Sequence, residues 1–170
     1  MRKNRSALLA VLGLALAFGP ALPANAAPAE NFCVATVGKP GSRSVEKTCD
    51  SKPDTAKLRA AKTAASASAA TMLMSWYDNA NWDASDGIIT WYGYAGNCDK
   101  SGYQINMDAN NFPSWRNRIS SWTVHGTCWK TLSYDVAYWP SGPSKRLDGD
   151  VAWVGADWND MIEAFSTTSS

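Results

Sequence analysis

The chain contains a single histidine, His125, and this limits the catalytic chemistry that it can carry. A zinc site that needs two or more imidazoles is excluded, as is the metalloprotease motif with two histidines on one helix. The sequence contains no Walker-type phosphate loop and no Gly-x-Ser-x-Gly motif. The aspartates that remain as glycosidase candidates lie mostly in turn-rich segments, which favours solvated loops. We therefore expect a protein that is not an enzyme.

Four cysteines, Cys33, Cys49, Cys98 and Cys128, are the other reactive side chains. None belongs to a Cys-x-x-Cys motif, which argues against a thioredoxin-like redox role. In an exported chain they indicate two structural disulfides, and spacing alone leaves three pairings open. The domain boundary described below favours the pairs Cys33–Cys49 and Cys98–Cys128.

The N-terminus has the pattern of an export signal. Three basic residues precede an uninterrupted small and apolar run at 7–18, and Ala24-Asn25-Ala26 supplies a cleavage pattern. The run is shorter than the roughly 20 residues that span a bilayer. We predict a signal peptide at 1–26 and a secreted protein without a membrane anchor.

Charge and composition divide the remaining chain. Residues 27–71 carry a net charge of +3, whereas residues 72–170 carry −5 and every Trp and Tyr. Residues 52–71 are mostly Ala, Lys, Ser and Thr, with Leu58 as the one large apolar side chain, so a helix there would lack a docking face. We predict a flexible basic arm over 27–71, containing Cys33 and Cys49, and a domain over 72–170. The formal net charge of +1 for the whole chain gives no case for nucleic acid.

After residue 72 the sequence is typical of short β-strands separated by turns. The runs predicted as strands are 88–92, 103–107, 119–124 and 151–154. Tyr103, Ile105 and Met107 alternate with polar residues, as in a strand with one buried face. We predict an all-β sandwich of two four-stranded antiparallel sheets in Greek-key order.

Two pairs of similar segments occur in the same order and indicate an internal duplication. Ser75–Trp82 is similar to Leu132–Trp139, and both contain Tyr-Asp with a Trp five residues after the Tyr. Trp115–Trp122 is similar to Trp158–Phe165. The first copy has about 14 extra residues, which we place around Cys98. The two predicted repeats are motif 1, about 72–125, and motif 2, about 128–166.

This pattern resembles the βγ-crystallin domain, which consists of two Greek-key motifs. In that family each motif opens with a Tyr-x-x-x-x-aromatic-x-Gly hairpin. Each motif ends with a segment that we call the clamp: two Asn or Asp, two variable residues, Ser or Thr, and Ser. The resemblance covers about 72–166 and is greatest to secreted actinobacterial crystallin-type proteins, whose relatives include small proteinase inhibitors.

The chain departs from the family pattern at several positions. Ala84 and Ser141 stand where the hairpin usually has Gly. In the first clamp, 116–121, Arg116 replaces the leading Asn or Asp. In the second clamp, 159–164, Glu163 and Ala164 replace the Ser pair.

The resemblance implies weak calcium binding shared between the two clamps. One site would use Asn117, the Arg118 carbonyl and Glu163, and the other would use Asp160, the Met161 carbonyl and Ser120. Such oxygen donors suit Ca²⁺, and few formal charges predict an affinity of about 10⁻⁴–10⁻³ M. The alternative is that these side chains only cap turns and bind nothing. No cofactor is required for the expected fold.

The nine Trp side chains are divided between core and surface expectations. We predict that Trp82, Trp115, Trp139 and Trp158 lie in the core with Ile119 and Ile162, because the Trp positions recur in both repeats. A sugar-stacking face would come from Trp76, Trp91, Trp122, Trp129 or Trp153.

Three functions remain open for a protein expected to be a monomer. The first is a secreted, non-enzymatic βγ-crystallin-type module with weak calcium binding. The second is an inhibitor of an extracellular protease, and its candidate loop consists of Pro140, Ser141, Gly142, Pro143, Ser144, Lys145 and Arg146. The third is a module that binds a polysaccharide.

Overall fold

The computed structural model describes residues 30–39, 45–107, 112, 114–135 and 142–170. Its strands are β1 (Phe32–Val37), β2 (Val45–Asp50), β3 (Thr71–Tyr77), β4 (Ile88–Gly93), β5 (Tyr103–Asn106), β6 (Ser121–Val124), β7 (Lys130–Tyr134), β8 (Ser144–Arg146) and β9 (Ala164–Thr168). Helix α1 spans Ala56–Ala67, and a short 3-10 turn spans Ala80–Trp82.

The strands form two sheets, with the orders β2-β1-β4-β3-β6 and β5-β9-β7-β8. All pairs are antiparallel except β1 with β4, which is parallel. The all-β expectation is confirmed, but the prediction of two four-stranded sheets is wrong for the first sheet. That sheet contains β1 and β2, which the sequence analysis assigned to a flexible arm.

The predicted domain start at residue 72 is therefore also wrong. β1 lies inside the first sheet, in register with β4 from Phe32↔Ile88 to Val37↔Gly93. The Trp115 indole donates a hydrogen bond to the Glu30 carbonyl at 2.7 Å, which joins the N-terminal segment to motif 1. Strands β1 and β2 are thus part of the folded domain.

Helix α1 docks through small side chains instead of a conventional apolar face. The Thr55 side chain accepts a hydrogen bond from the Leu58 amide and caps the first turn. Leu58 and Ala65 are buried in one cluster with Phe32, Val34 and Tyr92. Because Leu58 and Ala65 lie seven residues apart, they share one helix face. The expectation that residues 52–71 form a spacer is wrong, since alanine methyls supply the missing contact.

The duplication seen in the sequence sets the register of both sheets. Tyr77 pairs with Ser121 in the first sheet, and the repeat-equivalent Tyr134 pairs with Ala164 in the second. The backbone between strands repeats as well: the Ser120 amide donates to the Tyr77 carbonyl, and the Glu163 amide donates to the Tyr134 carbonyl. The two repeats therefore have the same local structure.

Each repeat also contributes its third strand to the other sheet. β5 of motif 1 pairs with β9 of the second sheet. In motif 2 the equivalent segment lies against β6 through an isolated bridge between Val151 and Trp122. The prediction of a strand at 151–154 is wrong to this extent, because the segment forms one bridge and not a regular ladder.

The core between the sheets is dominated by aromatic rings. Trp76 lies 4.8 Å from Trp91 and 4.3 Å from Phe165, measured between ring centroids. Trp122 meets Phe165 edge-on at 5.2 Å. Offset and edge-on pairs of this kind stabilise by about 0.5–1.5 kcal/mol each beyond area burial.

The core predictions from the repeats are confirmed at some positions and wrong at others. Trp115, Ile119 and Ile162 are fully buried. Trp158 is partly buried against the core. Trp82 is 44% exposed, which contradicts the prediction. Trp139 lies outside the described residues.

The structure contains both favoured disulfides. Cys33 is bonded to Cys49 with 4.2 Å between Cα atoms, and Cys98 is bonded to Cys128 with 4.8 Å. The first links β1 to β2, so it lies within the sheet and not in an arm. Both bonds are compatible with an extracellular protein. Within the described part of the chain, no helix is long and apolar enough to cross a membrane.

Candidate metal site at the two clamps

The two clamps have the same backbone conformation at their second position. Asn117 has φ 56° and Asp160 has φ 58°, which is the left-handed region. Asn and Asp are enriched there among non-glycine residues because their short polar side chains tolerate it. The structure thus places these two predicted ligands equivalently, one in each repeat.

The first predicted site, made of Asn117, the Arg118 carbonyl and Glu163, does not fit a cation. The Arg116 guanidinium donates to Glu163 Oε1 from both Nε (2.9 Å) and a terminal nitrogen (2.5 Å). Glu163 is buried, so this ion pair is shielded from water on the carboxylate side. The Arg116 guanidinium thus already neutralises the Glu163 carboxylate, which was expected to bind the metal.

The Arg118 side chain serves a different carboxylate. Its guanidinium pairs with Asp78 at 2.5 Å and donates to the Ser114 carbonyl at 2.8 Å. It also contacts Asn31 Oδ1 at 3.3 Å, which connects the N-terminal segment to this end of motif 1. Asp78 directly follows β3 and is the aspartate of the Tyr-Asp pair in the first repeat.

The second predicted site consists of Asp160, the Met161 carbonyl and Ser120, and Asp160 experiences the negative charge of Asp78. Partial burial and the negative charge of Asp78 raise the pKa of Asp160, although a hydrogen bond from Asn159 and the positive charge of Arg118 oppose the shift. Asp160 and Asp78 are therefore close enough to repel each other. The Asn159 amide donates to Asp160 Oδ2 at 2.8 Å.

Ser120, the third predicted ligand of this site, is connected to the Asp78 region through its backbone. Its amide donates to the carbonyl of Tyr77, the residue before Asp78. Ser120 is buried as a residue, but its hydroxyl is not among the enclosed polar atoms and makes no hydrogen bond to another described residue, so water reaches it. An oxygen donor without a protein partner and a repelled carboxylate fit a cation bound largely by oxygens. Within the described ranges, no group of three or more His, Cys, Asp and Glu side chains comes together, so neutral oxygens would have to complete the shell.

The candidate inhibitory loop is only partly described, since Pro140 and Ser141 lie outside the described residues. Gly142 and Pro143 are exposed, and Ser144–Arg146 form β8. Lys145 Nζ donates to the Val154 carbonyl at 3.0 Å, and Arg146 Nε donates to Asp148 at 3.0 Å. The two basic side chains are therefore engaged within the domain and belong to a strand.

The five Trp residues named for a sugar-stacking face are divided by the structure. Trp76, Trp91 and Trp122 are fully buried in the core. Trp129 and Trp153 are each 55% exposed. Of the predicted face, only these two rings are available to a ligand.

Sequence reasoning missed two partners at the clamps. Arg116 and Glu163 are both departures from the family pattern, and they pair with each other across the repeats. Their opposite charges at mismatched clamp positions were the signal that could have revealed the pair. Asp78 is one of the aspartates that the sequence places in solvated loops, whereas it pairs with Arg118, and its charge contributes to the raised pKa of Asp160.

Two Greek-key repeats with equal register exchange their third strands, and each ends in a clamp with a left-handed second residue. The chain has a βγ-crystallin-type fold. This confirms the resemblance inferred from the sequence, with a β1-β2-α1 unit added at one edge of the first sheet.

Solved structures of βγ-crystallin domains are similar to this chain. The domain from Clostridium beijerinckii has 16% identity and a TM-score of 0.43, covering 58% of this chain and 99% of its own. The domain from Flavobacterium johnsoniae has 16% identity and a TM-score of 0.41, covering 56% and 92%. The N-terminal domain of Protein S has 12% identity and a TM-score of 0.42, covering 57% and 96%. No family model and no curated protein matches the chain.

Proposed function

We propose that the protein is a secreted, non-enzymatic βγ-crystallin-type module that binds one Ca²⁺ ion weakly at the second predicted site, which Asp160 of the second clamp and Ser120 of the first clamp share. The ligands are the Asp160 carboxylate, the Met161 carbonyl and the Ser120 hydroxyl. The observation that carries this proposal is the left-handed backbone of Asp160, which presents a carboxylate at the clamp position that Asn117 occupies in the other repeat. The raised pKa of Asp160 supports it, since burial and the negative charge of Asp78 both disfavour the ionised form.

A divalent cation would relieve the electrostatic problem at this site. Two carboxylates that repel each other are both stabilised by a bound cation, and Ca²⁺ accepts the mixture of carboxylate, carbonyl and hydroxyl oxygens on offer. Arg118 supplies part of that compensation already through Asp78. We therefore expect an affinity at the weak extracellular end, about 10⁻⁴–10⁻³ M.

The first predicted site, made of Asn117, the Arg118 carbonyl and Glu163, should bind no ion, so we expect one Ca²⁺ per chain. The Glu163 carboxylate is held by Arg116, and Asn117 offers only a neutral amide. Binding there would require the ion to displace a guanidinium from a buried carboxylate, which is costly.

A backbone-amide NMR titration of the protein with Ca²⁺ tests the proposal, with Mg²⁺ as the competing ion. Shifts are expected at Asp160, Met161 and Ser120 and should saturate with one Kd. Asp160→Asn should abolish these shifts, whereas the repeat-equivalent control Asn117→Ala should preserve them. Saturable shifts confined to the first clamp, or none below about 20 mM Ca²⁺, would contradict the proposal.

A further inference from the structure

Three tryptophans are exposed although the other described tryptophans are wholly or partly buried. Trp82 is 44% exposed, and Trp129 and Trp153 are 55% exposed each. Trp is a large apolar residue that is highly buried on average, so three exposed rings in one small domain need an explanation.

The three rings border one short stretch of chain, residues 149–153. The Gly149 amide donates to the Trp129 carbonyl at 2.8 Å. The Asn81 amide, next to Trp82, donates to the Ala152 carbonyl at 2.6 Å, and Ala152 precedes Trp153. Val151 in the middle of the stretch bridges to Trp122 in β6. We call Trp82, Trp129 and Trp153 the aromatic edge, because each belongs to or adjoins the stretch 149–153, which bridges to the edge strand β6.

Two of these rings are held in place by the backbone. The Trp129 ring lies against Gly149, which has φ 72°, and a Cβ atom at that position would come within 3.0 Å of the ring. Trp82 adopts φ 60°, which is unusual for a bulky residue, and its indole donates to the Trp122 carbonyl at 3.1 Å. Backbone strain of this kind persists where the surroundings enforce it and is often found at functional positions. Fixed rings reduce the ordering cost of binding a ligand.

The charged residues near the aromatic edge indicate which class of ligand it could bind. Asp148 pairs with both Lys130 and Arg146, and Asp150 accepts a hydrogen bond from the Val124 amide. Lys130 and Arg146 balance Asp148 and Asp150, and residues 30–170 as a whole carry a net charge of −2. Nucleic acids also stack on aromatic rings, but their phosphates require a positive groove, and anionic membranes likewise require basic residues. An uncharged partner with apolar faces and hydroxyl edges is the chemistry that remains.

We propose that the aromatic edge of Trp82, Trp129 and Trp153 binds a neutral polysaccharide by stacking sugar rings on the indoles. The carboxylates of Asp148 and Asp150, next to Gly149 in the chain, would accept hydrogen bonds from sugar hydroxyls. This site is distinct from the second clamp and does not rest on calcium binding.

Retention of the full protein on insoluble polysaccharides tests the inference, with microcrystalline cellulose, chitin and an insoluble β-1,3-glucan as the probes. Binding isotherms are measured with EDTA and again with Ca²⁺. The double variant Trp129→Ala/Trp153→Ala leaves Trp82 and its hydrogen bond intact. Tyr94→Ala is the matched control, because Tyr94 is also an exposed aromatic residue (41%) but lies away from the aromatic edge. Its hydroxyl hydrogen-bonds with Thr36 of β1 and Glu46 of β2. Thermal melting verifies that each variant is folded.

The expected result is saturable retention on at least one polysaccharide, unchanged by EDTA. Affinity should fall about tenfold or more in the double variant, the scale of loss at aromatic hot spots, and remain unchanged in Tyr94→Ala. Absence of retention on all three polysaccharides overturns the inference. If the folded double variant is retained as well as the unmodified protein, the inference is also overturned. It is likewise overturned if the aromatic edge binds single-stranded DNA or anionic vesicles and none of the polysaccharides.

Discussion

Arg116 and Glu163, which are 47 residues apart in the chain, form a charged pair between the two repeats, in which the guanidinium donates twice to one carboxylate oxygen. Glu163 stands at a clamp position that the family uses for a metal ligand, and Arg116 stands at the leading position of the other clamp. The guanidinium therefore takes the place of a metal ion at the first predicted site, while the second predicted site keeps the Asp160 carboxylate.

Removing this internal cation should destabilise the domain. Arg116→Ala leaves a buried carboxylate without its main partner, and we expect the free energy of unfolding to fall by about 1–3 kcal/mol. Urea denaturation followed by Trp fluorescence measures the change. The control Arg116→Ala/Glu163→Gln removes both charges and should recover most of the loss. Equal loss in both variants would contradict the ion-pair interpretation.

The pKa of Asp160 can be measured directly by carboxyl carbon NMR. We expect a value above the usual 3.8, because burial and the charge of Asp78 both disfavour the ionised form. The folded state then binds this proton more tightly than the unfolded state, so the stability contribution of Asp160 decreases as pH rises from 3.8 through the folded pKa. Protons and Ca²⁺ compete for the same oxygens, so calcium stabilisation should disappear as pH falls through that pKa.

Asp78→Asn is the matched variant for this titration. It removes the neighbouring negative charge and should lower the pKa of Asp160. An unchanged pKa in the variant would mean that Asp78 does not face Asp160.

Substitutions in helix α1 test whether the N-terminal segment unfolds together with the rest of the domain. Leu58 is buried against β1, and Leu58→Ala should reduce the free energy of unfolding by about 2–3 kcal/mol. Lys62→Ala on the exposed face of the helix removes only an ion pair with Asp54, at 3.6 Å. This variant should change the free energy of unfolding by less than about 0.5 kcal/mol. A single cooperative transition is expected in both variants. If Leu58→Ala leaves stability unchanged, helix α1 is not part of the cooperative domain.

The sequence carried enough information for the repeats but too little for the N-terminal unit. The alignment of Tyr77 with Tyr134, and of Ser121 with Ala164, anticipates the strand pairing that the structure contains. β1 could not be found in this way, because it pairs in parallel with β4, more than fifty residues away, and no second copy exists for comparison.

The surface position of Trp82 and the pairing at the clamps depend on geometry that residue types do not encode. Trp82 matches an aromatic position of the family hairpin, yet its left-handed backbone turns the indole toward the Trp122 carbonyl and leaves the ring exposed. The resemblance to βγ-crystallin domains implied Asp160 and Ser120 as ligands. The neighbouring Asp78, which raises the pKa of Asp160, became visible only when the repeats were folded together.

Thermal melting with and without calcium tests the central claim most directly. At about 10 mM Ca²⁺, roughly ten times the weakest expected Kd, binding to the native state stabilises it by about 1.4 kcal/mol. The melting temperature should therefore rise by a few degrees relative to EDTA at matched ionic strength. Asp160→Asn should eliminate the rise, and Asn117→Ala should leave it intact. A melting temperature that calcium does not move in the unmodified protein would contradict the account, because the second clamp would then be a turn and not a metal site.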